Sequence, residues 1–253
     1  MARRVIITGG ASGIGRVMAE AFLKLGDRVA VCDTSETEIF KLRSSCPEIF
    51  ITKADVSDEE SMEQFFEIVT CEFGGVDVFI SNAGIAGPAG PIQALDLSEW
   101  RSCIAVNLDG AFLSCRWAAK QMQEQKNGVI LLISSTSGLY GVPFRSPYVT
   151  AKWGIIGLMK TLAIELGGAN IRVNAICPGS IEGERIERVL NMESEASGRK
   201  LEDVRAQYMS GVSLRCFMTA QDISDMAVFL ASDAARHVTG QAVSVDGNTE
   251  RMV

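Results

Sequence analysis

One histidine, His237, is all the imidazole in a chain of 253 residues. Histidine-based Ser-His-Asp catalysis would have to run through that residue, and no nucleophile-elbow motif accompanies Ser135, the serine of interest below. A catalytic zinc centre needs a Cys/His cluster; none is visible, so no metal site is expected. Seven cysteines (32, 46, 71, 103, 115, 177 and 216) are scattered, with no Cys-x-x-Cys pair. An odd, dispersed set reads as free buried thiols in a reducing compartment. His237 follows Ala234-Ala235-Arg236 at the expected end of a helix, where a histidine complements the helix dipole.

Other features are missing too. The net charge is −7 with no basic cluster, which argues against nucleic acid as a partner. No apolar run approaches the roughly 18 residues of a membrane span, so no membrane partner is expected. The first strand pattern starts almost at Met1, which leaves no room for a signal peptide and makes the cytoplasm the default location. There is no internal repeat and no low-complexity linker.

What remains is a long, regular alternation. Strand candidates lie near residues 3–8, 28–32, 49–53, 76–81, 129–134, 171–176 and 242–245. Helical patterns fill most of the gaps, notably 14–25, 58–73, 98–125, 148–166 and 220–232. This predicts an α/β fold, a doubly wound Rossmann-type sheet of about seven parallel strands with helices on both faces. A hydrophobic fraction of 47% is ample for a core on each face. Residues 1–253 are expected to form one domain.

The first βα unit is the most explicit. Arg3-Arg4-Val5-Ile6-Ile7-Thr8 is a short β-branched run, followed by Gly9, Gly10, Ala11, Ser12, Gly13, Ile14 and Gly15. Val17, Met18, Ala21, Phe22 and Leu25 then mark one side of a helix that stops at Gly26. Strand, glycine turn and helix form the context of a phosphate-cradling loop. Glycines admit the ligand to the backbone, and the helix start offers free N–H groups and a positive dipole end. The second strand ends at Asp33, 18 residues after Gly15 and close to the roughly 20 expected of a ribose-binding acid.

A second constellation suits proton transfer. Tyr148 and Lys152 stand four residues apart, on one helix face. A free tyrosine is a poor base at neutral pH, but a nearby lysine cation favours the phenolate. The tuned phenol can then take a proton from an alcohol or return one to a carbonyl. Gly9, Asp33, Asn82, Ser135 and Pro178 all fall just after strand candidates. In a parallel sheet those ends converge on one ligand site.

These motifs together resemble the short-chain dehydrogenase/reductase family. The residues that carry the resemblance are Thr8-Gly9-x-x-x-Gly13-Ile14-Gly15, Asn82-Ala83-Gly84, Asn107, Ser135, Tyr148-x-x-x-Lys152 and Pro178-Gly179. It spans essentially the whole chain, in family order and spacing, and fits the short single-domain branch. It implies an oxidoreductase that interconverts a secondary alcohol and a ketone. Tyr148 would be the general acid/base, and Lys152 would tune it and hold the nicotinamide ribose. Ser135, chosen over Ser134 by its thirteen-residue spacing to Tyr148, would bond the reacting oxygen. Asn107 would hold a water beside the lysine. Ser12 belongs to the cofactor loop. Asp55 and Val56 would meet the adenine, and Asn82, Ala83 and Gly84 the adenosine. Pro178 and Gly179 would floor the nicotinamide. A threonine often follows that Pro-Gly in the family; here Glu182 stands in the region, which leaves the Ile181 backbone.

The resemblance also bears on cofactor and substrate. Asp33, with Ser12 and Thr34 where NADP enzymes of the family carry a base, implies NAD. Residues 182–205 hold twelve charges in twenty-four positions. They fall where relatives carry a mobile lid, here about 181–216. Arg145 and Arg185 could pair with an anionic or polyhydroxylated alcohol, so polyols, sugars, hydroxy acids and anionic alcohols are the substrate candidates. Two alternatives stay open: sugar epimerisation on a related scaffold, and a catalytically idle NAD-binding regulator. Similar proteins form homotetramers through the helices expected at 98–125 and 148–166 and the last strand. Phe112, Trp117, Trp153, Ile156 and Met159 supply apolar surface for that, and core burial accounts for them equally.

Overall fold

The computed structural model describes residues 2–250; within them, the side chains of residues 184, 185, 192, 193 and 195–197 lie outside the described set. Seven strands form one parallel sheet: β1 (Arg4–Thr8), β2 (Arg28–Asp33), β3 (Phe50–Lys53), β4 (Val78–Ser81), β5 (Gly128–Ile133), β6 (Ile171–Pro178) and β7 (Ala242–Val245). Their order is β3-β2-β1-β4-β5-β6-β7. The chain winds outward from β1 to β3, then restarts on the other side with β4. A reversal of this kind opens a crevice above the carboxyl ends of β1 and β4.

Alternation within the strands builds two cores. Val5 and Ile7 face one side of the sheet and Ile6 the other. The first side is covered by α1 (Gly13–Lys24), α2 (Glu36–Ser45) and α9 (Ala220–Leu230), through residues such as Phe22, Leu42 and Ile223. The second is covered by α3 (Glu59–Phe73), α5 (Gly110–Gln125) and α6 (Ser146–Gly167), through Phe65, Met122 and Met159. Each such fully buried side chain stabilises the fold by about 1.5–3 kcal/mol.

Charged pairs fasten the amino ends of the strands. Arg3 Nη2 lies 2.6 Å from Asp27 Oδ2, just before β2. Arg4 donates from its backbone N (2.7 Å), Nε (2.9 Å) and Nη2 (2.7 Å) to Asp77, just before β4. Two adjacent arginines thus tie β1 to both its neighbours.

Several expectations change in detail. The helix expected over 98–125 is two helices, α4 (Leu97–Ile104) and α5, joined by a π turn at Ala105–Asp109. A wide turn inserts one residue and often marks a functional position. The charge-rich segment forms α7 (Glu184–Ser197) and α8 (Leu201–Ser210), which share a small core of Ile186, Leu190, Val204 and Phe217. Pro178 closes β6 rather than following it. Not every cysteine is buried: Cys71 and Cys216 are exposed and Cys46 is half-buried. Burial pushes the Cys32 and Cys115 thiols up to about 12. His237 is exposed and follows a single 3-10 turn, Asp233–Ala235, not α9 itself. So short a turn has little dipole to complement. Among the described residues no helix is long and apolar enough to cross a membrane.

Candidate active site

The loop from β1 into α1 is shaped by close approach. A Cβ on Gly15 would lie 2.1 Å from the Gly9 carbonyl oxygen and 2.6 Å from Asn82 Nδ2, so only glycine fits. Gly13 has a φ of +53° and open space where a Cβ would point. Ser12 is the N-cap of α1 but makes no side-chain cap bond, and the first turn holds no acid. The first-turn N–H groups are thus left for a ligand. Ile14 is partly buried and packs its side chain against the α1 side of the core.

Neighbouring strand ends hold this loop in place. Asn82 Nδ2 donates to the carbonyls of Thr8 (3.0 Å) and Gly9 (2.9 Å). Thr8 Oγ1 accepts from the N–H groups of Asn82 (3.1 Å) and Ala83 (3.2 Å). The sequence motif alone assigns Thr8 no contact of its own. Asp33, at the end of β2, accepts from Ala11 N and from Ser35 N, both at 3.1 Å. It is half-buried, beside the turn it steadies.

Asp55 and Val56 follow β3. Asp55 is exposed, and its Oδ1 accepts from Ser57 N (2.9 Å) and Ser57 Oγ (2.7 Å). The Val56 side chain is buried in the core and would meet a Cβ on Gly110 at 2.9 Å. Any contact from Val56 to a ligand therefore falls to its backbone.

The acid/base constellation is compact. Lys152 is only 4% exposed, and its Nζ donates to the Ile133 carbonyl at the end of β5 (2.9 Å). That Nζ lies 5.6 Å from the centroid of the Tyr148 ring. Tyr148 is half-buried on the first turns of α6. Asn107 sits in the π turn, 1% exposed. Its Nδ2 donates to the carbonyls of Ile85 (3.0 Å) and Cys103 (2.9 Å), while Oδ1, among the described residues, has no partner. A Cβ on Gly84 would stand 2.7 Å from Asn107 Oδ1 and 3.5 Å from Lys152 Nζ. Gly84 thus brings an unsatisfied acceptor and an ammonium to the rim of one small space.

The two serines after β5 separate cleanly. Ser134 is buried and donates its hydroxyl to the Lys152 carbonyl (2.9 Å). Ser135 is half-buried, begins the 3-10 turn Thr136–Gly138, and accepts from Ser137 N through Oγ (3.1 Å). Ser134 is thus spent on bracing α6.

The floor and mouth complete the picture. Pro178 is buried, and Gly179 donates its N–H to Val245 (3.0 Å). Met218 N donates to Ser180 (2.9 Å) and Glu182 N to Met218 (2.8 Å); neither bond uses the Ile181 N–H. Beyond lies a cleft of about 660 Å³ lined by Glu182, Gly183, Glu187, Arg188, Asn191 and Arg205. Arg145 precedes α6, with Cζ 5.1 Å from the Tyr148 ring centroid and Nη2 donating to Ala86 (3.0 Å). The Arg185 side chain lies outside the described residues.

A family model described as enoyl-(acyl carrier protein) reductase matches residues 9–248. The chain belongs to the short-chain dehydrogenase/reductase family. It is 34% identical over 254 residues to 2-(R)-hydroxypropyl-CoM dehydrogenase of Xanthobacter autotrophicus, covering 98% of each chain. Among solved structures it is similar to NAD+-bound xylitol dehydrogenase (27% identity, 97% and 98% coverage, TM-score 0.92). It is also similar to ElxO with NADP bound (30% identity, 98% of each chain, TM-score 0.86). The family binds nicotinamide cofactors, and these relatives include oxidoreductases acting between alcohols and ketones. The residues here fit such a cofactor. Gly15 admits a backbone approach, Gly13 opens onto free space, and the first turn of α1 repels no anion.

Proposed function

We propose that the chain is an NAD-dependent oxidoreductase that interconverts a secondary alcohol and a ketone, with Tyr148 as general acid/base. The observation that carries this is the buried Lys152 ammonium, 5.6 Å from the Tyr148 ring and close to Gly84 and Asn107. A cation beside a phenol favours its phenolate. In oxidation the substrate hydroxyl would give its proton to Tyr148; in reduction Tyr148 would return it to the carbonyl oxygen. Ser135 Oγ would bond that oxygen and hold it as charge develops. Asn107 Oδ1, which lacks a partner among the described residues, and the nearby Lys152 Nζ suit a bridging water, which would link the phenol to solvent. Bound nicotinamide supplies the hydride carrier. Lys152 would also hold its ribose, and the Ile181 N–H, Pro178 and Gly179 its ring side.

NAD is the preferred form on this reading. The Asp33 carboxylate accepts from ribose hydroxyls and repels a 2′-phosphate. Ser12 and Thr34 offer no cation. Arg16 is committed to Glu20 (2.8 Å) and Ser45 Oγ (2.9 Å). Asp55 and the Val56 backbone would take the adenine, and Asn82, Ala83 and Gly84 the adenosine.

The helices α7 and α8 would act as the lid, hinged where Ile181 pairs with Met218. Among the described residues, the side chains around the neighbouring cleft are Glu182, Glu187, Arg188, Asn191 and Arg205. That favours a small polar alcohol, such as a polyol, sugar, hydroxy acid or anionic alcohol, over a long acyl chain. Arg145, beside the Tyr148 ring, is the candidate to meet an acidic tail, since a guanidinium suits carboxylate and sulfonate oxygens. Arg185 is retained as a second candidate. We also propose a homotetramer. Phe112 (48%), Trp153 (52%) and Ile164 (85%) are exposed on α5 and α6, while Met159 is core and Trp117 stacks on Phe66.

An NAD-reduction screen over polyols, sugars, hydroxy acids and sulfonated alcohols tests the reading. Turnover of at least one class is expected, with Tyr148→Phe lowering it by about 10²–10⁴. Full activity in Tyr148→Phe would sink the assignment.

A further inference from the structure

We infer that Arg145 is a positioning residue, whose guanidinium fastens the loop after β4 to the face of Tyr148 and biases that phenol toward phenolate. Arg145 is the last residue before α6 and caps nothing with its side chain. The side chain instead folds over the helix start, Cζ 5.1 Å from the Tyr148 ring centroid, and reaches the Ala86 carbonyl through Nη2. Residues on either side of Ala86 are gripped from elsewhere. Asn107 Nδ2 holds the Ile85 carbonyl, and Gly87 packs so near Cys103 that a Cβ there would come within 2.5 Å of Sγ. The π turn and α4 therefore fix the loop to the fold, and Arg145 fixes it to the acid/base.

The same placement acts on charge. A guanidinium at this range is drawn to an aromatic face, and more strongly when the ring carries a phenolate. It stays charged at any working pH, so its bias on Tyr148 is constant. Lys152 adds a second cation beside the phenol. Lys152 lies 5.6 Å from the ring centroid on the same helix. From α4, Cys103 sits in the field of both Arg145 and Lys152, and burial pushes its thiol up, so it adds no negative charge at neutral pH. On the β6 side, burial pushes Cys177 up to about 11, and it feels both Asp246 and Lys152. The Asp246 oxygens are engaged by the N–H groups of Asn248 (3.0 Å) and Thr249 (3.1 Å).

The inference rests on Tyr148 being the acid/base, and its test needs no substrate. The chain has three tyrosines, Tyr140, Tyr148 and Tyr208. The ultraviolet tyrosinate titration of the folded protein with NAD, minus that of Tyr148→Phe, isolates Tyr148. Arg145→Met should raise the Tyr148 midpoint by about half a pH unit or more and speed hydrogen exchange at residues 85–87. Arg145→Lys should keep most of the midpoint while loosening the loop. An unmoved midpoint in Arg145→Met, or in Arg145→Gln should the first variant not fold, overturns the inference. A depressed wild-type midpoint that ignores Arg145 strikes this inference alone. An ordinary wild-type midpoint that ignores Arg145 strikes both it and the acid/base reading.

Discussion

Asp33 has two tasks on one carboxylate. Its oxygens accept the amides of Ala11 and Ser35, so the group proposed to meet the ribose also holds the glycine turn in place. Losing a charged acceptor costs about 1.5–3 kcal/mol, or roughly 10- to 100-fold in affinity. Asp33→Ala should weaken NAD by that order in a binding titration and narrow its advantage over NADP. An unchanged NAD affinity would remove Asp33 from the site. At this scale spacing made the glycines, Asp33, Tyr148 and Lys152 legible. Partners distant in sequence were not. Thr8 braces a loop 74 residues away and Arg145 one 59 away, and no local pattern signals either. The choice between Ser134 and Ser135 rested on family spacing. The bond from Ser134 to the Lys152 carbonyl is consistent with that choice.

The elements of the fold were legible where apolar periodicity is long and regular. The strands and α1, α3 and α6 fall within a few residues of their expected spans. The reading over 98–125 missed the π turn because one inserted residue barely disturbs an apolar stripe. Yet that residue lets Asn107 face Ile85 while α5 still buries Cys115 and Met122. The turn into α1 tolerates least. Gly15→Ala forces a methyl against the Gly9 carbonyl, and overpacking of this kind costs about 1–3 kcal/mol. The variant should lose NAD affinity and melt earlier; wild-type affinity in Gly15→Ala would show that the turn can relax. The helices α7 and α8 were hidden in a charge-rich stretch. Among the described residues they bury only Ile186, Leu190 and Val204, with Phe217 from beyond α8, too small a core to announce itself by composition.

At the scale of the whole molecule, sheet polarity divides the labour. The Asp77 carboxyl is partly buried; desolvation opposes its charge, but the bonds from Arg4 outweigh that and hold it below its usual value of 3.8. Its contribution is therefore complete at pH above that value and fades as pH falls through the lower folded-state value. Asp77→Asn should cost about 2 kcal/mol near neutrality, a loss of about 4–8 °C in Tm. The gap to wild type should shrink in acid; a gap that is constant with pH would exclude the pair as its source. Light scattering should give four chains per particle, and Trp153→Asp on the exposed α6 face should lower that number without abolishing NAD binding. A wild-type monomer would refute the tetramer.

Arg3 and Arg4 anchor one rim of the sheet, and every proposed ligand contact lies toward the other. Inheritance can therefore treat the two rims differently. Loops at the ligand rim can be lengthened, recharged or exchanged while the riveted rim keeps the chain folded. New substrates can thus be explored by descendants that never pass through an unfolded ancestor.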